Sequence, residues 1–231
     1  MSDSNISQAE SRSRLRRWGV AQYTRKTWLT LGAVALAITA VVVGVALIVT
    51  GLGQPNPVKD MRGNPVQLSG APLTSDQMRR MNVKPTDERF IVASVGLNVP
   101  LDTLNEVDGL ITPPGFTSAY RIRNFGESLD TASHGTVFVV MHSIRGGGTG
   151  PGNYLIDVTT GQSAVRVGTA VQVGTRTYLI SGWKSEPKKQ VPSDVALWAN
   201  TPGRLVIITC LQLSSGGESV NNMIFTAQLK S

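Results

Sequence analysis

One cysteine and two histidines carry the reactive side-chain chemistry of this chain: Cys210, His134 and His142. A thiolate is a strong nucleophile, but a thiol with a pKa of about 8.5 is mostly protonated near neutral pH. An imidazole beside it can take the thiol proton and later return it to a departing amine. Position favours His142 over His134 as that imidazole. Cys210 closes the apolar run RLVIIT (204–209) and precedes the polar stretch LQLSSGGES (211–219). His142 directly follows GTVFVVM (135–141), whereas His134 lies in the polar turn TASHGT. Two reactive side chains at the ends of two core strands are what a cysteine–histidine acyl-transfer site requires: a rigid scaffold below, loops for substrate above. From the residues alone, Cys210 keeps three readings: an apolar core filler, a link between chains, or a reactive thiol.

Other motifs point elsewhere. The glycine-rich run GGGTGPGN (146–153) lacks the GKS or GKT ending and following helix of a nucleotide loop, and reads as a flexible rim of the active site. Two histidines and one cysteine make no metal-ligand cluster at recognisable spacing, so neither metal nor cofactor is expected. Arg145, beside the histidine, and Arg204 are the nearby cations.

The elements that must position this pair read as all-β. Residues 89–95 and 97–101 are apolar and β-branched, broken at Gly96. Residues 165–167, 170–173 and 177–181 alternate, with Gly168 and Gly174 as turn residues. With 135–141, 204–209 and 223–229 (MIFTAQL), several short strands with Gly and Pro turns predict a closed barrel carrying short helices in its connections. The stretch 184–203 joins two core strands and holds a short helix near 193–199, whose Trp198 and Val195 either line a groove or pack the helix down. Residues 86–231 suffice for one such domain. Residues 51–85, rich in Pro, Gly, Asn, Ser and Gln, read as an extracytoplasmic linker with a short helix possible at 75–81.

Upstream, residues 28–49 run 22 positions without a charge. At about 1.5 Å per residue this crosses a hydrocarbon core of roughly 30 Å, so residues 28–50 are expected to form a transmembrane anchor. No A-x-A cleavage pattern follows it. Residues 1–27 carry Arg12, Arg14, Arg16, Arg17, Arg25 and Lys26 against Asp3 and Glu10, which marks them as a basic cytoplasmic tail. A single-pass cell-membrane protein with its C-terminal domain outside follows. The tail accounts for +4 of the formal +7, leaving about +3 on the exported part, too little to argue for nucleic acid. A lone cysteine is unusual in an exported domain, where cysteines normally pair.

Taken together these segments resemble the sortases. Thr209-Cys210 behind LVII resembles the family's Thr-Cys signature at the end of a core strand, and His142, after VFVVM and before Ser143, resembles its strand-plus-His motif. RFIVASVGLNVPL (89–101) is similar to the first strands of the domain. TPPGFTSAYRIRNFGESL (112–129) resembles the connection in the actinobacterial class labelled F. The resemblance spans 86–231 and implies a sortase-like closed β-barrel and a cysteine transpeptidase. Cys210 would cleave an LPXTG-like sorting signal between Thr and Gly through a thioacyl intermediate, with His142 as acid and base. The acyl group would pass to an amine of a peptidoglycan precursor or a pilin. Its partners would be secreted LPXTG-type proteins, that amine, and the membrane. One departure stands out. The resemblance expects an arginine on the last strand facing the thiol, and alignment puts Asn222 there, whose amide can still donate a hydrogen bond. Thr209, Asn222 and Arg145 are thereby the candidates for positioning substrate and oxyanion, with Arg204 as a further cation. Two alternatives stay open: a silent, membrane-tethered barrel that binds peptide or envelope polymer, and a plain cysteine endopeptidase.

Overall fold

Apolar residues fill β-strands on both faces in the middle of this chain, and that pattern is what closes its barrel. In the computed structural model, residues 58–66 and 73–230 are described. Ten strands occur in this part: β1 (Arg89–Val92), β2 (Leu97–Leu104), β3 (Ala119–Ile122), β4 (Thr136–Val140), β5 (Ile156–Asp157), β6 (Gln162–Ser163), β7 (Ala170–Val173), β8 (Arg176–Pro187), β9 (Arg204–Cys210) and β10 (Asn221–Leu229). Eight of them form a closed barrel in the order β1-β2-β3-β4-β9-β10-β8-β7, while β5 and β6 make a separate two-stranded ladder. The pairs β2–β3 and β4–β9 are parallel and the remaining barrel pairs antiparallel.

Strand alternation divides the buried side chains into two cores. Val137, Val139, Met141, Leu205, Ile207, Met223 and Phe225 point into the barrel with Phe90, Val92 and Tyr178. Phe138, Val140, Val206, Ile208 and Ile224 point outward, where Val191, Leu197 and Trp198 of the β8–β9 connection cover them. Parallel strands buried on both faces carry unbroken apolar runs rather than alternation. That is why TVFVV and RLVIIT look alike in the sequence.

Two short helices decorate the barrel. In α1 (Ser75–Met81) Thr74 makes a capping box with Gln77, and Met81 is buried. In α2 (Val195–Trp198) the Asp194 carboxylate caps the Leu197 amide. The all-β closed barrel with short helices in its connections is the architecture expected from the sequence. No described helix is long and apolar enough to cross a membrane. The tail expected at 1–27 and the anchor expected at 28–50 lie outside the described residues.

Four local expectations differ from the structure. The first strand stops at Val92, and Ala93–Val95 form a 3-10 turn that Gly96, at φ +71°, closes tightly onto β2. Residues 165–167 form no strand: Val165 is buried, Val167 is exposed, and the Thr169 amide bonds back to the Arg166 carbonyl. Strand β8 runs on to Pro187, through residues expected to be connection, because β10 is long enough to pair with it up to Asn221. Strand β3 occupies part of the stretch taken for a connection; Ala119 and Ile122 are fully buried, one on each core.

Candidate active site

Register brings the reactive residues together. Across the antiparallel pair β9–β10, Cys210 lies opposite Asn222, and Asn222 in turn lies opposite Glu186 of β8. On the other side β4 runs parallel to β9 with Val140 opposite Ile208. Carried two residues further, that register sets His142 beside Cys210. Two bonds enforce it: the Met141 amide donates to Ile208 O at 3.1 Å, and the Ser143 hydroxyl donates to the Cys210 carbonyl. Neighbouring strands run about 4.8 Å apart, so His142, Cys210 and Asn222 occupy one row of positions on the outward face.

This row closes one end of a cavity of about 820 Å³. Val140 and Ile208 form its floor, Leu110, Ile111 and Pro113 one wall, and Val191, Pro192 and Trp198 the other. Trp198 serves both roles considered for it: its indole N–H donates to Val191 O at 2.7 Å, its ring meets Phe125 and Phe138, and it lines the cavity. Val195 is 83% exposed on the outside of its helix. Among the described residues, Glu106 and Lys188 are the only Asp, Glu, Lys or Arg side chains lining the cavity, so the groove suits an extended, mainly apolar chain.

The His142 ring is held from two directions. Its Nε2 lies 2.7 Å from the Pro113 carbonyl, and its ring stacks on Phe116 with centroids 4.4 Å apart and planes 24° from parallel. A carbonyl only accepts, so Nε2 carries the proton and Nδ1 of the neutral ring keeps the lone pair. Burial pushes the imidazole below its ordinary pKa, the Pro113 bond opposes that, and the positive charge of Lys188 lowers it further. The imidazole is therefore largely neutral at pH 7, the state in which Nδ1 can take a thiol proton.

The remaining candidates separate. Thr209 faces the opposite way from Cys210: its hydroxyl is buried, without a hydrogen-bond partner, against Gly152. Its hydroxyl is not placed to touch an acyl group on Cys210. Arg145 lines a second cavity of about 510 Å³ with Asp60, Asn64 and the glycine loop, not the groove. Arg204 is turned away as well, donating to the carbonyls of Ala196, Leu197 and Ala199 and to the Thr136 hydroxyl. His134 sits in its turn, its amide bonded to Thr131 O. The glycine loop, expected as a flexible rim of the active site, instead lines that second cavity and is tied in place. The Asn153 amide oxygen accepts from Ile144 N and Gly150 N at 2.7 and 2.8 Å, and its Nδ2 donates to Ile144 O at 3.0 Å.

Sequence reasoning missed Pro113, Phe116 and Lys188. Pro113 acts through a backbone carbonyl that any residue would supply. Phe116 lies in a stretch without periodicity, and Lys188 looks like any surface lysine until β8 extends to meet Val220. Among the described residues no group of His, Cys, Asp and Glu is arranged to hold a metal ion.

No family model matches the chain, and no curated protein matches it. Among solved structures it is similar to sortase C-1 from Actinomyces oris, at 15% identity over 77% of this chain and 90% of that one, with a TM-score of 0.48. It is also similar to sortase A from Listeria monocytogenes, at 17% identity over 62% of this chain and 86% of that one, TM-score 0.44. A third is a sortase D5 transpeptidase from Clostridium perfringens, at 13% identity over 68% of this chain and 90% of that one, TM-score 0.44. The barrel and the row of side chains rest on the strand register given above, independently of these likenesses.

Proposed function

We propose that this chain is a sortase-type cysteine transpeptidase, held on the outer side of a membrane by an anchor at residues 28–50. The observation that carries the reading is the single row His142–Cys210–Asn222 at the end of an apolar groove. A thiol, a neutral imidazole and an amide donor on adjacent strands are the parts of an acyl-transfer centre.

The substrate is an LPXTG-like sorting signal laid along the groove. Cys210 Sγ attacks the threonine carbonyl carbon while its proton passes to His142 Nδ1. The negative charge that develops on the carbonyl oxygen is met by the Asn222 amide, a donor already in place before reaction. The C–N bond then breaks, His142 returns the proton to the departing glycine amine, and a thioester remains on Cys210. An amine of a peptidoglycan precursor or a pilin attacks that thioester, again losing its proton to His142, and the free thiol is regenerated. Pro113 and Phe116 keep the ring from turning between the two proton transfers. Anchoring enzyme and secreted substrate on one membrane confines both to a surface, which raises their effective concentration.

The test uses the full-length chain in detergent, incubated with an LPXTG peptide and followed by intact mass, beside Cys210→Ala and His142→Ala. A thioacyl adduct, or a cleaved peptide, that requires both residues supports the reading; added amines then reveal the acceptor, and product in water alone points to an endopeptidase. A second reading, a barrel that binds peptide without turning it over, is favoured by one observation: among the described residues no arginine lines the groove. Peptide binding with no adduct and a thiol inert to alkylation would establish it instead.

A further inference from the structure

The loop that carries His142 is tied to a short hairpin far upstream in the sequence. Residues 58–66 double back on themselves: Val66 N donates to Val58 O at 2.7 Å and Asp60 N to Asn64 O at 2.9 Å, around Gly63 at φ +84°. Asp60, only 3% exposed, is buried at the junction with the body of the protein. Its Oδ1 accepts from the amides of Arg62 and Asn64, both at 2.8 Å. Its Oδ2 accepts from Asn64 Nδ2 at 3.3 Å and from the Thr149 amide at 3.1 Å. Among the described residues no cation pairs with it within 4.0 Å. A carboxylate buried with only neutral donors is costly unless those donors are fixed, so their arrangement is a built one.

Thr149 is held twice. Besides its amide on Asp60, its carbonyl accepts from Met61 N at 2.9 Å, and Met61 packs against the inner core. The tie passes directly to the histidine. Gly150 N, next along, bonds to Asn153, which also binds both backbone groups of Ile144, and Gly152 N donates to the His142 carbonyl at 2.8 Å. Gly152 has no alternative there: a side-chain carbon would collide with the Thr209 hydroxyl and stand 3.0 Å from His142 O. Asp60, Thr149, Asn153 and His142 thus form one continuous series of bonds, with the anchor expected at 28–50 only a few residues upstream of its first member.

We propose that the 58–66 hairpin is a strap that sets the height of the His142 loop over Cys210, with Asp60 as a positioning residue for acyl transfer. This rests on the transpeptidase reading for its consequence, though not for its geometry. Releasing the strap leaves Pro113 and Phe116 on the ring but frees the backbone on the far side of the loop. The imidazole then spends less time in line with the thiol, and a displacement of about 1 Å at a reacting group lowers turnover by up to ~100-fold.

The experiment compares full-length wild type, Asp60→Ala, Asp60→Asn and, as a surface control, Asp76→Ala. Three quantities are read: amide exchange at 144–152, the rate at which iodoacetamide alkylates Cys210, and peptide turnover with its KM. For Asp60→Ala the strap requires faster exchange at Thr149 and Gly150, alkylation and kcat both reduced ~10–100-fold, and KM changed less than twofold. Asp60→Asn keeps one carbonyl acceptor for Thr149 and recovers part of both rates; Asp76→Ala changes neither. If exchange quickens but alkylation and kcat hold, the hairpin is mere packing and the proposal falls. It falls equally if kcat and KM shift in step with a lowered melting temperature in both Asp60 variants. Alkylation needs no sorting peptide, so wild type that alkylates in a His142-dependent way yet turns over no peptide overturns the transpeptidase reading and leaves the strap standing on its own test.

Discussion

The two faces of the β4–β9–β10 sheet are built from the same three strands, one residue out of step, and they do opposite things. Inward, Val137, Val139, Leu205, Ile207, Met223 and Phe225 are sealed from solvent. Outward, the row Val140–Ile208–Ile224 is buried too, though Val140 and Ile208 line the groove, and the next row, His142–Cys210–Asn222, emerges half-buried at its end. Thr209 and Cys210 show the contrast across a single peptide bond: one hydroxyl shut in without a partner, one thiol at a cavity wall. Because the side-chain period is two, a slip of one residue in register would exchange these fates. The inner face therefore supplies stability and fixes register, and the outer face spends that rigidity on placing three side chains.

The largest effects should separate cleanly between the faces. Cys210→Ala should abolish the thioacyl adduct while leaving the denaturant midpoint nearly unchanged, since the thiol is only partly buried. Phe225→Ala, at a fully buried inner position, should cost about 3–5 kcal/mol in urea unfolding, yet the fraction still folded should alkylate Cys210 at the normal rate. A Cys210→Ala variant that loses several kcal/mol would break the comparison, because the outer row would then be core. Next in size is Asn222→Ala, expected to lower kcat by ~10²–10³ with little change in KM if the amide meets the oxyanion. Its neighbour Asn221 bonds instead to the Ser185 hydroxyl at 3.1 Å, so Asn221→Ala should leave kcat alone. Equal losses from the two would show that the row has no special standing.

Much of this was legible in the residues. Unbroken apolar runs at 135–141 and 204–209 revealed strands buried on both faces, and the reactive residues following them marked the rim of a barrel. Asn222 was placed opposite Cys210 by alignment of one strand, and the β9–β10 register puts it there. What stayed hidden was whatever depends on the partner rather than the residue. Thr209 adjoins Cys210 in sequence, which suggested a shared role, but alternation sends its hydroxyl to the other face. Arg145 lies three residues after His142, yet the loop turns it toward the second cavity. The extent of β8 was invisible because Lys184–Pro187 has no apolar pattern of its own and becomes strand only by pairing with β10. Asp60 lies in a segment whose composition reads as spacer, and nothing in that composition announces a bond to Thr149 across 89 residues.

A smaller effect sharpens the contrast at its narrowest point. Thr209→Val replaces a buried, unpartnered hydroxyl with a methyl of the same shape. An unsatisfied buried group costs about 1–3 kcal/mol, so the variant should be neutral or up to about 1 kcal/mol more stable in urea, with kcat unchanged. A loss of tenfold or more in kcat at unaltered stability would mean the hydroxyl does reach the acyl group, and that the division between faces fails at the residue where it is sharpest.

The smallest effect concerns charge rather than packing. Lys188 directly follows Pro187, the last residue of β8, its amide donating to Val220 O at 3.0 Å, and its ammonium lowers the His142 pKa. Burial is the larger cause and remains in Lys188→Met, so the imidazole pKa should rise yet stay below its ordinary value of 6.5. The sign has two consequences. A histidine whose folded pKa is depressed contributes stability above its unfolded pKa and loses it as pH falls from about 6.5 toward the folded value, so the variant should lose slightly less stability over that window. Activity that needs the neutral ring fails at low pH, so the acid limb of the kcat/KM profile should move to higher pH in the variant. The cleanest reading is an NMR titration of His142 in Cys210→Ala, with and without Lys188→Met. An upward shift assigns Lys188 to tuning the imidazole. A shift of zero places its charge in solvent, and leaves burial under Phe116 and the Pro113 carbonyl as all that sets the proton affinity of the outer row.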